Sequence, residues 1–311
     1  MESLSIVIPV YNSEGSLPLL IARLEPVLSD LGRPFEIILV NDGSRDRSWQ
    51  AIESQAQAHP QVRGINLMRN YGQHNALLCG IRAARHDIVV TLDDDLQNPP
   101  EEIPRLLDKL AEGFDVVYGA PQMQQHGLWR NLASSITKLA LQGAMGAETA
   151  RKVSPFRAFR TDLRQAFTSY RGAFTSIDVL LTWGTTRFAA IPVRHDPRQM
   201  GVSNYTFGRL VTLALNMMTG FSTWPLQLAS LIGFSFTLFG MAILAYVIGR
   251  YLLLGYSVPG FPFLASVIAV FAGAQLFALG IIGEYLARMH FRMMDRPVYV
   301  IRTTTEPEEG R

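Results

Sequence analysis

The chain has 311 residues, 17% of them charged and 48% hydrophobic, with a formal net charge of +2. A soluble enzyme carries about 25% charged residues, so part of this chain faces something other than water, and the small net charge leaves no footprint for nucleic acid. A single cysteine, Cys79, excludes an internal disulfide framework and any multi-cysteine zinc site.

The first residues hold a charge at Glu2, a proline at Pro9 and polar residues from Asn12 to Ser16. That is not the pattern of a secretory signal, so a leading soluble domain is expected in the cytosol. Leu4 to Val10 is a short apolar, β-branched run that predicts a strand. Leu17, Leu20, Ile21, Leu24, Val27 and Leu28 then recur at helical spacing. Phe35 to Val40 predicts a second buried strand, a polar helix follows from about Asp46 to Ala58, and Arg63 to Leu67 reads as a third strand. A helix near Gly72 to Ala84, a strand at Ile88 to Leu92, a helix over Glu101 to Glu112 and a strand at Asp115 to Gly119 close the series. Strands alternating with helices predict a mostly parallel α/β sheet covered on both faces.

Farther along, Ser222 to Gly283 contains one charged side chain, Arg250. Its first part, Ser222 to Gly249, exceeds the roughly 20 residues that cross a hydrocarbon core as a helix. Pro and Gly clustered at Gly255 to Gly260 predict a turn, with a second span near Phe263 to Ile282. Arg194, Arg198 and Arg209 precede this hairpin and Arg288, Arg292, Arg296 and Arg302 follow it, so both ends are expected in the cytoplasm. Tyr205 to Phe221, mixed apolar and basic, reads either as an interfacial helix or as an ordinary helix packed on the domain. The expected organisation is a cytosolic domain over 1–200, an interfacial region over 201–221, a transmembrane hairpin over 222–283 with spans near 224–250 and 263–283, and a juxtamembrane tail over 284–311.

In open α/β sheets, ligands bind beyond the carboxyl ends of the strands. Pro9, Tyr11 and Asn12 end the first strand, Asp42 the second, and Asp93, Asp94 and Asp95 the fourth. No G-x-G-x-x-G and no P-loop motif is present, so a bound nucleotide would be held by carboxylates, aromatics and a metal. In an extended segment alternate side chains share a face, so Asp93 and Asp95 are expected to converge while Asp94 turns away. Two such carboxylates suit Mg²⁺ or Mn²⁺, with Gln97 as a third oxygen donor. A metal there would stabilise a diphosphate leaving group.

The runs Ser5 to Asn12, Val40 to Ser44, Arg69 to His74 and Asp93 to Glu102, together with the hairpin, resemble the GT-A-fold glycosyltransferases of family 2. Within that family the chain is similar to the polyprenyl-phosphate glycosyltransferases, the branch containing dolichyl-phosphate-mannose synthase. The resemblance implies an inverting transfer from a UDP- or dTDP-sugar to polyprenyl phosphate at the bacterial inner membrane, by a homo-oligomer, a tetramer. It implies nucleotide contacts from Pro9, Tyr11, Asn12, Asp42, Asp93 and Asp94, and metal ligation by Asp95 and Gln97. Asp93, Asp95 and Arg198 would act in catalysis. His195, Arg198, Ser203 and Tyr205 match the family's loop ahead of the interfacial helices, where a basic group meets phosphate.

Three departures stand out. Ser13 separates the Tyr-Asn pair from Glu14, Asn204 replaces a family lysine between Ser203 and Tyr205, and Arg151-Lys152-Val153 replaces a stretch that carries an acidic residue in relatives. A sugar hydroxyl needs a general base, whereas a phosphate monoester is already anionic at neutral pH. Loss of that acid therefore favours a lipid-phosphate acceptor, with Arg151, Lys152, Arg157 and Arg198 expected around its charge and Asp178 as the nearest remaining acid. A processive polysaccharide synthase is disfavoured because the chain lacks an Arg-Trp dipeptide. A nucleotide-sugar-binding membrane scaffold without catalysis stays open as the alternative.

Overall fold

The computed structural model describes residues 2–121, 152–172, 175–196, 224–254 and 260–306. The chain divides into two units, Met1–Leu210 with Asp295–Arg311, and Val211–Met294. The first unit follows the expected alternation: β1 (Leu4–Val10), α1 (Leu17–Asp30), β2 (Phe35–Asn41), α2 (Ser48–Ala58), β3 (Val62–Leu67), α3 (Gln73–Ala83) and β4 (Ile88–Thr91). A short 3₁₀ turn at Pro100–Glu102 leads into α4 (Ile103–Ala111), then β5 (Val116–Pro121), β6 (Arg157–Arg160), α5 (Ile177–Thr182) and β7 (Phe188–Val193). β8 (Ile301–Thr304) returns from the far end of the chain.

Among the described residues, eight strands lie in the order β7-β5-β6-β4-β1-β2-β3-β8. β1 through β4 are parallel neighbours, as their continuous apolar runs require when both faces are covered. β6 runs antiparallel between β4 and β5, and β8 runs antiparallel on the β3 edge. The apolar pattern predicts strands as far as β5; β6, β7 and β8 extend the sheet beyond it. Helices cover the sheet with apolar side chains, as in α4, where one stripe of Ile103, Leu106, Leu107 and Leu110 is buried. Gly80 lets α3 lie flat on the sheet, since a Cβ there would fall 2.4 Å from Val7 Cγ1.

Chain order reverses at β1, with β2 on one side and β4 on the other, so the carboxyl end of β1 is the switch point where such folds open a crevice. Pro9 helps to open it. The Val7 carbonyl accepts from Leu92 on the β4 side and the Val10 carbonyl accepts from Asp42 on the β2 side. Alternate residues face the same neighbour, so Pro9 faces the β4 side, where β4 has already ended at Thr91. The N–H that proline lacks has no strand to meet.

The second unit contains α6 (Trp224–Leu254) and α7 (Phe261–Met293). Leu226–Leu253 and Val270–His290 are long and apolar enough to cross a membrane, and their apolar side chains lie outward rather than in a protein core. Within the unit, Phe236 and Phe271 meet edge to face at 5.6 Å, beside Gly240. Of the expected turn at Gly255 to Gly260, residues 255–259 lie outside the described residues, as does the region 201–221. α7 continues past Gly283 to Met293 with a Glu284–Arg288 ion pair one turn apart, and Ile301–Thr304 joins the sheet. Residues 284–311 are therefore not a simple tail.

Candidate active site

Beyond the carboxyl ends of β1, β2 and β4, and against the start of α3, lies a cleft lined by Pro9, Val10, Tyr11, Asp42, Asn70, Gly72, Gln73, Asp93, Asp94 and Asp95. Each wall is fixed by hydrogen bonds between loops. Tyr11, 41% exposed, stands free enough to stack on a flat ligand. The turn behind it is made by Asn12, whose φ of 56° is left-handed and whose Oδ1 accepts the Arg45 amide at 2.8 Å. Asn12 thus shapes the turn and is not among the cleft's lining residues.

Asp42 follows β2 and is 3% exposed. Its two oxygens accept the backbone N–H groups of Tyr71 at 2.7 Å and Gly72 at 2.9 Å. Burial pushes its carboxyl above the usual range, against the opposing pull of those two amides and of Arg69. Gly43 allows the 69–72 loop to close over it, because a Cβ there would lie 2.4 Å from the Asn70 nitrogen. Each carboxylate oxygen retains a lone pair for a ligand donor such as a pyrimidine imide.

The acidic triplet lies in a turn after β4, not in an extended segment, and Leu96 at φ 62° completes it. The strand alternation expected of it therefore does not apply, and all three carboxylates line the cleft. Asp94 does not turn away. It accepts the Tyr11 amide at 3.2 Å and the Ser13 hydroxyl, so the departure Ser13 ties the β1 loop to the acidic turn. Burial raises the Asp94 carboxyl to about 6, with Asp95's charge adding and the bonds from Ser13 and Tyr11 opposing. Asp93 accepts from Gln73 Nε2 at 2.6 Å, and Asp95 accepts the Gln97 amide at 3.1 Å.

Asp93 and Asp95 offer hard oxygen donors open to the cleft, which suits Mg²⁺ or Mn²⁺. Among the described residues no group of three or more His, Cys, Asp or Glu forms a cage for an ion. An ion at this site would share its shell with ligand oxygens and water, as Mg²⁺ does in phosphate sites. Gln97 is not among the lining residues; its carbonyl accepts the Asp196 amide at 2.9 Å.

Residues 5–168 match the family described as Glycosyl transferase family 2. The chain is 39% identical over 304 residues, 97% of its length and 90% of the relative's, to an undecaprenyl-phosphate 4-deoxy-4-formamido-L-arabinose transferase of Pseudomonas aeruginosa (strain LESB58). A protein of the same name from Pectobacterium carotovorum subsp. carotovorum (strain PC1) is 38% identical, with 98% and 94% of the two chains covered. The chain belongs to glycosyltransferase family 2. Among solved structures, the mannosyl-3-phosphoglycerate synthase of Rubrobacter xylanophilus superposes with a TM-score of 0.53 at 16% identity, covering 70% of this chain and 72% of that one. The glucosyl-3-phosphoglycerate synthase of Mycobacterium tuberculosis, in complex with Mn²⁺, UDP-glucose and phosphoglyceric acid, gives 0.51 at 20%, covering 70% and 78%. Both share the GT-A-type fold.

In this glycosyltransferase the structure brings Pro9, Tyr11, Asp42, Asp93, Asp94 and Asp95 to one cleft. Asn70, Gly72 and Gln73 line it as well; in the sequence they are marked only as part of the family-like run Arg69 to His74. The acceptor set is more dispersed. Arg151, Arg198, Ser203 and Tyr205 lie outside the described residues. Lys152 and His195 are exposed and neither lines the cleft.

Arg157 requires a correction. It is 1% exposed, its Nε donates to Thr91 Oγ1 at 3.1 Å, and its guanidinium pairs with Asp178. Tyr118 donates to the same Asp178 carboxylate at 3.1 Å. A buried, neutralised guanidinium cannot reach a lipid phosphate, and Asp178 serves the same pair rather than standing open as a base. Beside the pair, burial pushes the His74 imidazole below its usual range, against the attraction of Asp178 and with the charge of Arg157 adding.

Proposed function

We propose that this glycosyltransferase transfers a sugar from a pyrimidine nucleotide-sugar to polyprenyl phosphate, at the cytoplasmic face of a bacterial membrane. The observation that carries the reading is one chain that pairs a carboxylate-lined cleft with two apolar helices, related over nearly its whole length to undecaprenyl-phosphate sugar transferases. A water-soluble donor and a membrane-bound acceptor call for that combination.

In this reading Tyr11 stacks on the base, Asp42 accepts its imide, and Pro9 leaves room beside it. Asp93 faces the ribose and diphosphate, while Asp95 would hold Mg²⁺ or Mn²⁺, with Gln97 reaching the ion only if its side chain turns toward the cleft that it does not line here. Such an ion, when bound, supplies charge stabilisation for the departing diphosphate. An oxygen of the acceptor phosphate attacks the anomeric carbon as the bond from that carbon to the β-phosphate oxygen breaks. A sugar phosphodiester forms, with inversion, and nucleoside diphosphate leaves. The acceptor oxygen is already anionic, so no general base is required. Arg198, with Arg151 and Lys152, would hold the acceptor's charge. Two residues before Arg198, Asp196 is tied to the acidic turn through Gln97.

β8 supports the topology. It pairs with β3 of the amino-terminal domain although two spans intervene, and an even number of crossings returns the chain to the side it left. The arginines flanking the hairpin favour the cytoplasm for that side. A homo-oligomer, a tetramer, completes the reading, and light scattering of the detergent-solubilised protein tests it. The function itself is tested with purified protein, radiolabelled UDP-sugar and undecaprenyl phosphate. Label should enter the organic phase in a metal-dependent way; donor binding without transfer points instead to the scaffold.

A further inference from the structure

The segment that follows α7 does more than end the chain. Ile301 pairs with Leu67, Thr303 with Asn66 and Thr304 with Ile65. At the carboxyl end of β3, both backbone groups of Met68 are taken up by this segment. Its amide donates to the Val300 carbonyl at 2.9 Å, and its carbonyl accepts from Arg302 at 3.2 Å. Met68 is the root of the 69–72 loop, whose Tyr71 and Gly72 amides hold Asp42. A second route runs through side chains. Asn66 Oδ1 accepts from Asn41, Asn41 Oδ1 accepts the Ser44 amide, and Ser44 Oγ accepts the Asn12 amide behind Tyr11.

The far end of the segment is fastened too. Gly64 and Thr305 exchange two hydrogen bonds of 2.8 and 3.0 Å, and Glu306 takes a two-pronged bond from Arg85 at 2.8 and 2.9 Å. At its near end the Arg82 guanidinium lies over the Tyr299 ring, 5.8 Å from its centroid, and Tyr299 sits beside the buried Cys79 thiol. Residues 294–298 join it directly to α7.

We infer that Tyr299–Glu306 is a positioning strap for the donor site: by holding Met68 it sets the loop that closes on Asp42, so strap docking and nucleotide binding favour one another. This rests on the cleft's being the nucleotide site. Coupling between linked sites is reciprocal, so nucleotide should hold the strap down as much as the strap improves nucleotide affinity. Arg302 is exposed and touches the loop root, not the cleft, which makes it a positioning residue.

The only cysteine in the chain reports on the strap, since Cys79 lies beneath Tyr299. The test uses the full-length protein in detergent, with uridine diphosphate as the ligand, a maleimide as the thiol probe, and donor kinetics. In wild type, uridine diphosphate should slow Cys79 labelling. Arg302→Ala should speed labelling and raise the donor KM by about fivefold or more, the lower end of typical coupling, with kcat changed far less. Glu306→Gln, at the other end of the strap, should shift both readouts the same way. Faster labelling with an unchanged donor KM would reduce the strap to a cover and overturn the inference, as would a kcat loss without a KM change. Wild-type protein that binds no uridine diphosphate would overturn the nucleotide-site reading and the strap's role with it, a distinguishable result.

Discussion

Asp42→Asn tests whether the donor cleft is built by that carboxylate or merely contains it. Asp42 accepts two amide donors, one on each oxygen, at 2.7 and 2.9 Å. An asparagine keeps one acceptor oxygen and turns an NH₂ group toward the other amide. One bond to a charged acceptor is lost, about 1.5–3 kcal/mol for such bonds. Asparagine also relieves the burial cost that pushes the Asp42 carboxyl above its usual range, so the loss should appear in the 69–72 loop more than in global stability. Converted at about 1.4 kcal/mol per tenfold, it predicts a roughly 10- to 150-fold weaker nucleotide affinity, a matching rise in donor KM and a nearly unchanged melting temperature. Titration calorimetry with uridine diphosphate measures the first and donor kinetics the second. An affinity within twofold of wild type would refute the reasoning.

The remaining predictions address other parts of the molecule. Asp95→Asn should abolish metal-dependent turnover while the protein stays folded and membrane-bound; full activity in that variant, or of wild type in EDTA, removes the metal assignment. Arg157→Ala leaves the Asp178 charge buried without its partner, and a loss of about 3–5 kcal/mol is expected in chemical denaturation; a change in lipid KM with stability intact would return Arg157 to the acceptor site. For Glu36, burial raises the carboxyl, but the Ser5 hydroxyl, the Arg85 amide and Arg63 outweigh it and hold the group below its ordinary 4.5. Its stabilisation is full above pH 4.5 and drains away as pH falls through the lowered value; Glu36→Gln should flatten that acid limb of melting temperature against pH. Reporter fusions at Arg311 and within 255–260 should report the cytoplasm and the opposite side respectively, and a periplasmic carboxyl terminus contradicts the paired crossings.

The parallel half of the sheet and the two long apolar helices were legible because each writes an unbroken apolar run. Leu4–Val10, Phe35–Asn41 and Ile88–Thr91 lie within a residue or so of where the pattern put them. β6 escaped because its buried face carries Arg157, whose partner Asp178 is distant in sequence and invisible to periodicity. β8 had a visible signal, Val300, Ile301 and Thr303 to Thr305 being β-branched, but its position after two long apolar helices favours reading a tail. Four carboxylates that line the cleft, Asp42 and Asp93 to Asp95, are legible from their place after strands. What they do was only partly readable. Asp94 holds Tyr11 and Ser13, and Asn12 holds Arg45, through loop contacts more than thirty residues apart that no local pattern encodes.

The central claim is that the acceptor is the phosphate of a membrane lipid, and phosphorus NMR of the running reaction addresses it directly. With purified protein, Mn²⁺, UDP-sugar and undecaprenyl phosphate in micelles, the monoester resonance should give way to a phosphodiester resonance as nucleoside diphosphate appears in equal amount. Polyprenol without phosphate should support no transfer. Release of nucleoside diphosphate while the lipid monoester persists, or equal transfer to polyprenol, would contradict the account.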